Sequence, residues 1–231
     1  MSVKKVTITG NPLSFAGFQK NNLTVIDGLK ISKDIKEIGR SFKENRFLES
    51  TFLNTKEVKV ENGSLEIAKP NQEKLNISLD GSIKDISSQK ELFFILSSMQ
   101  PSLQFNIEGQ GKLDESMAGN IGLTLSKLSV NQKNLSLKEG NGWGSLELSN
   151  DEPLSFSSQI NVKNGSLFGF AIKDVEITGN QNNQISTLIL SALSTSSDET
   201  TLFINADYNR EDNKTNMSSS LNIKKPKHFI N

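Results

Sequence analysis

The chain has 231 residues and few side chains able to do covalent chemistry. It contains no Cys, so it has no thiolate nucleophile, disulfide framework or cysteine-ligated zinc. Its one His, His228, lies in Lys225-Pro226-Lys227-His228-Phe229 and reads as an exposed residue of a tail. A Ser-His-Asp triad or a two-His metal site would have to be built around that residue. Ser87-Ser88-Gln89-Lys90 matches a serine–lysine dyad, but 31 Ser and 23 Lys make such matches frequent by chance. Here the serines read as helix-capping residues. Gly140-Asn141-Gly142-Trp143-Gly144 has the composition of a phosphate-cradling loop, and such a loop must open a helix. The next residues, Ser145-Leu146-Glu147-Leu148, are strand-like, so a bulged turn is expected. Asp114-Glu115, Glu139 and Asp151-Glu152 lack the spacing of a calcium loop and read as solvated turns. No catalytic residue, metal site or cofactor is expected, and an enzyme is the least favoured class. Asn-x-Ser triplets such as Asn62-Gly63-Ser64 and Asn76-Ile77-Ser78 arise freely in an Asn- and Ser-rich chain.

Composition narrows the partners. Lys+Arg and Asp+Glu both number 26, and only 3 of the bases are Arg. A nucleic-acid footprint would show a basic excess, so no nucleic acid is expected. Residues 1–60 carry net +5 and residues 61–160 net −5, a mild blocking of the kind solvated faces produce. The longest apolar run, Leu92 to Leu96, is far too short to cross a bilayer as a helix. No apolar signal-peptide stretch comes after Met1-Ser2-Val3-Lys4-Lys5. The chain is then either cytoplasmic or a slice of a longer exported protein.

The elements that would position any site are strands. Apolar residues alternate with polar ones through Leu75-Ile77-Leu79, Leu103-Phe105-Ile107, Ile121-Leu123-Leu125, Leu128-Val130 and Leu135-Leu137. The pattern continues through Leu146-Leu148, Leu154-Phe156, Ile160-Val162, Val175-Ile177, Leu188-Leu190, Leu202-Ile204 and Leu221-Ile223. Period two places each set on one face of a strand. Asp27-Gly28, Asn62-Gly63, Asp80-Gly81 and Asn164-Gly165 accept the positive φ of tight hairpin turns, and Gly140-Asn141-Gly142 and Gly179-Asn180 do similar work. Short turns imply antiparallel neighbours, hence a long β-meander of on the order of a dozen strands or more. Two segments depart from this pattern. Ile31, Ile35, Ile38 and Phe42 recur at helical spacing, which predicts a helix near 32–46. Its preferred role is a lid on the sheet; a basic interfacial helix on a membrane is the alternative. A second helix is expected near 89–99, with Ser88 and Glu91 as a capping box and Pro101 as its stop. Idioms recur, as in Val60-Glu61-Asn62-Gly63-Ser64-Leu65 and Val162-Lys163-Asn164-Gly165-Ser166-Leu167, without the fixed period of a solenoid.

Such a meander has one apolar face and little to cover it. An exposed apolar face must meet a second sheet, close into a barrel or bind something greasy. The expected fold is mainly β: a long antiparallel meander curled into an open, gutter-like groove, with one or two short helices.

The stretch 122–179 resembles the AsmA-like superfamily of bacterial envelope proteins, especially its YdbH branch. The idiom is Gly122-Leu123-Thr124-Leu125-Ser126-Lys127-Leu128-Ser129-Val130, then Gly144-Ser145-Leu146-Glu147-Leu148. It continues through Ile160-Asn161-Val162-Lys163-Asn164-Gly165 and Phe170-Ala171-Ile172-Lys173-Asp174-Val175. The resemblance implies a periplasmic β-groove that conducts phospholipid between inner and outer membranes, with envelope membrane proteins as further partners. The YdbH branch also carries a dicarboxylate-transport label, which the scarcity of Arg does not favour. On this reading residues 1–231 are one groove segment, internal or C-terminal, of a longer protein. The expected lining residues are Phe105, Ile107, Leu123, Leu125, Leu146, Leu148, Phe156, Ile160, Val175 and Ile177. The rival readings are a β-solenoid or adhesin-like scaffold, and a closed β-sandwich with a binding loop.

Overall fold

In a computed structural model of the chain, the residues described are 2, 4–9, 23–34, 55–68, 74–86, 89–116, 118–149, 155–181, 185–194, 200–209 and 214–223. They form strands β1 (Lys5–Thr9), β2 (Leu23–Asp27), β3 (Lys30–Asp34), β4 (Glu57–Ala68), β5 (Leu75–Ile86), β6 (Gln89–Gln100) and β7 (Leu103–Leu113). After these come β8 (Gly119–Gln132), β9 (Leu135–Leu148), β10 (Ser155–Leu167), β11 (Phe170–Gln181), β12 (Ile185–Ser194), β13 (Thr200–Asn209) and β14 (Lys214–Ile223). All belong to one sheet, in the order β1-β2-β4 and then consecutively to β14, with β3 beside β4; the path does not close. The fold is therefore an antiparallel β-meander. It departs from that pattern where β2 and β3 both run parallel to β4. No helix among the described residues is long and apolar enough to cross a membrane.

The segment expected to be a helix near 89–99 is strand β6. Five consecutive apolar residues carry no period, so spacing alone does not separate helix from strand. The neighbouring backbone decides it. β5 presents donors and acceptors that β6 satisfies from Ser78↔Ser97 to Ile86↔Gln89. Phe93, Phe94 and Ile95 suit a pleated surface, and Glu91 lies opposite Lys84 in the ladder instead of capping a helix. Of the other expected helix, residues 32–34 belong to β3, with Ile31 opposite Leu65. Ile35, Ile38 and Phe42 lie outside the described residues.

The turns also differ from expectation. Asn62-Gly63, Asp80-Gly81, Gly140-Asn141-Gly142, Asn164-Gly165 and Gly179-Asn180 all sit inside strands. Asp27-Gly28 does end a strand, and Gly28 takes φ 68°. The pairs Pro101-Ser102, Lys133-Asn134 and Phe168-Gly169 make tight hairpins. Strands of up to 14 residues are thus two shorter alternating runs joined end to end.

The joints obey one rule. Asn62, Lys127, Glu139 and Asp174 adopt left-handed backbone, with φ of 53°, 59°, 59° and 49°. The registers shift between Val60 and Gly63, between Leu125 and Leu128, and between Lys173 and Glu176. A one-residue slip reverses which face each side chain takes. In the sequence the apolar positions change parity at the same places: Val58 to Leu65, Leu125 to Leu128, Leu137 to Leu146, and Ile172 to Val175. The two reversals cancel, and one face stays apolar along the whole strand.

The chain divides into two compact units, residues 1–100 with 108–117, and residues 101–107 with 118–231. In the first, Ile26, Leu29, Val58, Ile67, Ile77, Ile83 and Leu113 are buried. Asn62 is held at its joint by Asp80 Oδ1, which accepts from its backbone N–H at 2.8 Å, and by Asp27 Oδ1, which accepts from Nδ2 at 2.9 Å. In the second unit Leu137, Val162, Ile172, Val175 and Ala192 form a buried cluster. Leu128, Val130, Leu135, Ile160, Leu167 and Ile177 pack against it. These residues come from the neighbouring strands β8 to β12 of one sheet.

Candidate functional site

All ten residues expected to line a groove belong to the second unit. On β8, Ile121 and Leu125 lie opposite Leu146 and Gly142 of β9. Those two lie opposite Phe156 and Ile160 of β10, and Ile160 opposite Ile177 of β11. Directly paired residues of an antiparallel ladder share a face, and Leu123 and Leu148 join it by period two. On β7, Asn106 Nδ2 donates to Ser126 Oγ at 3.4 Å on the opposite face. That contact turns Phe105, Ile107 and Leu125 to the apolar side. The ladder thus brings the expected set onto one surface.

That surface is not uniform. At the joints and beyond them it is sealed: Leu137 and Ile172 on the side of the Lys133 and Phe168 turns, and Val162 and Val175 immediately on the other side of the joints, are buried. Val175, expected as lining, is inside this cluster. On the other side of the joints Leu123, Leu125, Leu146, Leu148, Phe156, Ile160 and Ile177 are each half-buried, although Ile121 beside them is fully buried. Phe105 and Ile107 are half-buried as well.

Glycine lets neighbouring strands approach closely in the half-buried region. A Cβ on Gly142 would overlap the Gln159 carbonyl oxygen of the adjacent strand. The backbone of β9 therefore lies closer to β10 there than any side chain would permit. The segment 140–144, read from the sequence as a bulged turn, is this close-packed stretch inside β9.

The opposite face is polar. Trp143, 58 % exposed, stands between Thr124 and Gln159. Ser145 and Ser157 share a hydrogen bond at 2.8 Å, and Ser155 donates to Glu147 Oε2 at 3.1 Å. A shallow depression of about 240 Å³ is lined by Asn120, Ser145, Glu147, Ser155, Phe156, Ser157 and Asn180. Hydroxyls and amides there can bind water or a polar group, and no activated nucleophile is among them.

The residues weighed for chemistry have structural roles. Glu139 occupies a joint and faces Lys163 at 3.7 Å, both well exposed. On the ladder of β9, β10 and β11, Glu139, Lys163 and Asp174 occupy facing positions of alternating sign. Asp114 accepts from the Ser116 backbone N–H at 2.8 Å and from its hydroxyl at 2.6 Å, the geometry of a turn. Lys90 of the serine–lysine pattern is ion-paired to Asp85 at 3.7 Å across β5 and β6. Ser87, Ser88, Asp151, Glu152 and His228 lie outside the described residues. Among the described residues no group of three His, Asp or Glu is placed to hold a metal.

Sequence reasoning missed the Phe168-Gly169 hairpin. Its signal was a two-residue link with Gly second, between the alternating runs that end at Leu167 and begin at Phe170. Comparison with protein-family models, with curated proteins and with solved structures finds no match to this chain.

Proposed function

We propose that this chain is a lipid-holding segment of an AsmA-like intermembrane bridge in the bacterial periplasm, whose apolar sheet face accepts phospholipid acyl chains. The reading rests on one observation. Across each joint the chain takes a left-handed residue and a reversed sequence pattern together, so that one face of each such strand remains apolar along its length. Retaining the apolar face through four such joints makes sense when the continuity of the face matters. Leu123, Leu125, Leu146, Leu148, Phe156, Ile160 and Ile177 offer half-buried area that acyl chains would cover, each adding on the order of 1 kcal/mol when fully sealed. No covalent step is involved, and headgroups would stay in water beyond the groove. That every described strand belongs to one sheet whose path does not close supports an open face over two separate packed sheets.

Native mass spectrometry of the purified protein should find co-purified phospholipid. A folded, monodisperse and lipid-free protein would sink the proposal. Leu125→Asp and Ile177→Asp should each reduce cross-linking to a photoactivatable phospholipid; unchanged labelling in both would remove this face from the lipid path.

A further inference from the structure

We propose that the Phe168–Phe170 hairpin tip of the second unit is a membrane-touching device that inserts two aromatic rings into the interface of an anionic bilayer. The proposal goes beyond the lipid groove and does not rest on it, since a tip can enter a bilayer whether or not the sheet face carries acyl chains.

The turn itself is unusual. Leu167 pairs directly with Phe170, so Phe168 and Gly169 are the two residues of the loop. Their φ angles are 50° and 85°, both positive as a type I′ turn demands. Asn, Asp or Gly meets that demand cheaply, whereas a bulky aromatic in left-handed backbone is an outlier. The chain has 25 Asn to draw on, yet it places Phe here. The second penalty is exposure. Phe168 is 69 % exposed and Phe170 76 %. The tip is braced by the Phe168 backbone N–H, which donates to the Asn134 carbonyl at 2.8 Å in the neighbouring β8–β9 turn. The ring takes no part in that bond. A residue that is unfavourable both for backbone and for solvation points to a role outside the fold.

Charge identifies the occupant. Across the two adjoining hairpin ends and their joints, residues 131–139 and 163–174, the ionisable groups are Lys133, Lys138, Glu139, Lys163, Lys173 and Asp174, a net charge of +2, with both carboxylates at the joints and Lys133 at the turn itself. Exposed aromatics at a tip, backed by lysines, match an anionic lipid surface: the rings reach the acyl boundary and the ammonium groups stay at headgroup level. Two rings and a small net positive charge make a weak, reversible anchor.

The test is flotation of the intact chain with vesicles of phosphatidylcholine alone and with a third of phosphatidylglycerol. Wild type should float with the anionic vesicles, and salt should weaken the association. Phe168→Asn combined with Phe170→Thr should lower vesicle binding on the order of tenfold or more. The same pair should leave thermal stability equal or raise it, because Asn suits the turn better than Phe. Lys133→Gln with Lys138→Gln should cut binding to anionic vesicles roughly fivefold per lysine and leave neutral vesicles unaffected. With Trp143→Phe removing the native indole, Phe168→Trp should shift its emission to the blue on adding anionic vesicles. Absence of wild-type flotation, or equal flotation of the double Phe variant, overturns the proposal. So does concentration-dependent dimerisation that the Phe variant abolishes without any vesicle binding, which would make the tip a protein contact.

Discussion

The two compact units solve the same problem with different materials. Each keeps one face of long strands apolar by inserting a left-handed residue where the sequence changes parity. In the first unit that residue is Asn62, whose short amide tolerates left-handed backbone and is held by Asp27 and Asp80. In the second, Lys127, Glu139 and Asp174 take the position, and of these only Asp is suited to it. The first unit also bends its topology, laying β2 and β3 parallel to β4 on either side of the Gly28-Leu29 break. There Gly28 N–H donates to the Glu61 carbonyl at 2.9 Å and Ser64 N–H to the Leu29 carbonyl at 2.7 Å, so the joint is braced from the neighbouring chain. In the second unit β8 to β14 pair antiparallel, and the joint at Glu139 carries an exposed ion pair with Lys163. Positive φ is thus common to all the joints, and in the first unit hydrogen bonds from neighbouring strands add lateral support.

The largest expected effect tests whether each unit owns its core. Leu137→Ala in the second unit and Leu113→Ala in the first, both nearly fully buried, should each destabilise by about 3 kcal/mol. Hydrogen exchange should show the loss of protection in β8–β12 for the former and in β4–β6 for the latter. Equal loss in both would erase the distinction between units. Next comes the close approach of strands. Gly142→Ala puts a methyl group against the Gln159 carbonyl and should cost about 2 kcal/mol in chemical denaturation. A neutral result would mean that β9 and β10 can separate there without penalty.

The joints themselves should respond oppositely. Glu139→Gly relieves a left-handed glutamate and should stabilise by roughly 1 kcal/mol, since its exposed pair with Lys163 contributes little. Asn62→Gly should be neutral or destabilising, because it relieves less strain and loses the Asp27 contact. Identical shifts would show that the two kinds of joint are energetically alike. The smallest effect belongs to Glu66. Hydrogen bonding from Lys74 at 2.6 Å, and after it the charges of Lys74 and Lys30, holds its carboxyl below the ordinary 4.5. A lowered carboxyl stabilises the fold above its unfolded pKa and loses that contribution as pH falls through the folded one. A shallow loss of stability below about pH 4.5 is therefore expected in wild type. In Glu66→Gln that part of the pH slope should vanish, and an unchanged slope would assign it to other carboxylates.

Much of the architecture was legible from period two. The run Ile121-Leu123-Leu125 sits on one face of one strand as its alternation implies, and so does Val175-Ile177. The meander came from the same pattern. What misled was punctuation. Asn-Gly and Asp-Gly permit positive φ without saying whether the chain turns back or continues after a slip, because both need the same local backbone. Asn62-Gly63 continues, whereas Lys133-Asn134, with a weaker local signal, turns. Leu92-Phe93-Phe94-Ile95-Leu96 misled for a related reason, since a solid apolar run has no phase of its own.

The sequence by itself determined the class of structure and which residues are apolar on alternate positions, because those depend on local backbone geometry and side-chain period. It also determined the scarcity of reactive groups, which is a matter of composition. Only the tertiary structure decided where the chain reverses, which strands run parallel, and that parity changes at Asn62, Lys127, Glu139 and Asp174 preserve one face. These are settled by hydrogen-bond partners distant in sequence, each strand taking the path that satisfies its neighbour's backbone. The exposure of Phe168 and Phe170 belongs to the same class: a ring's solvent contact is fixed by what the fold leaves beside it, and no local pattern contains that information.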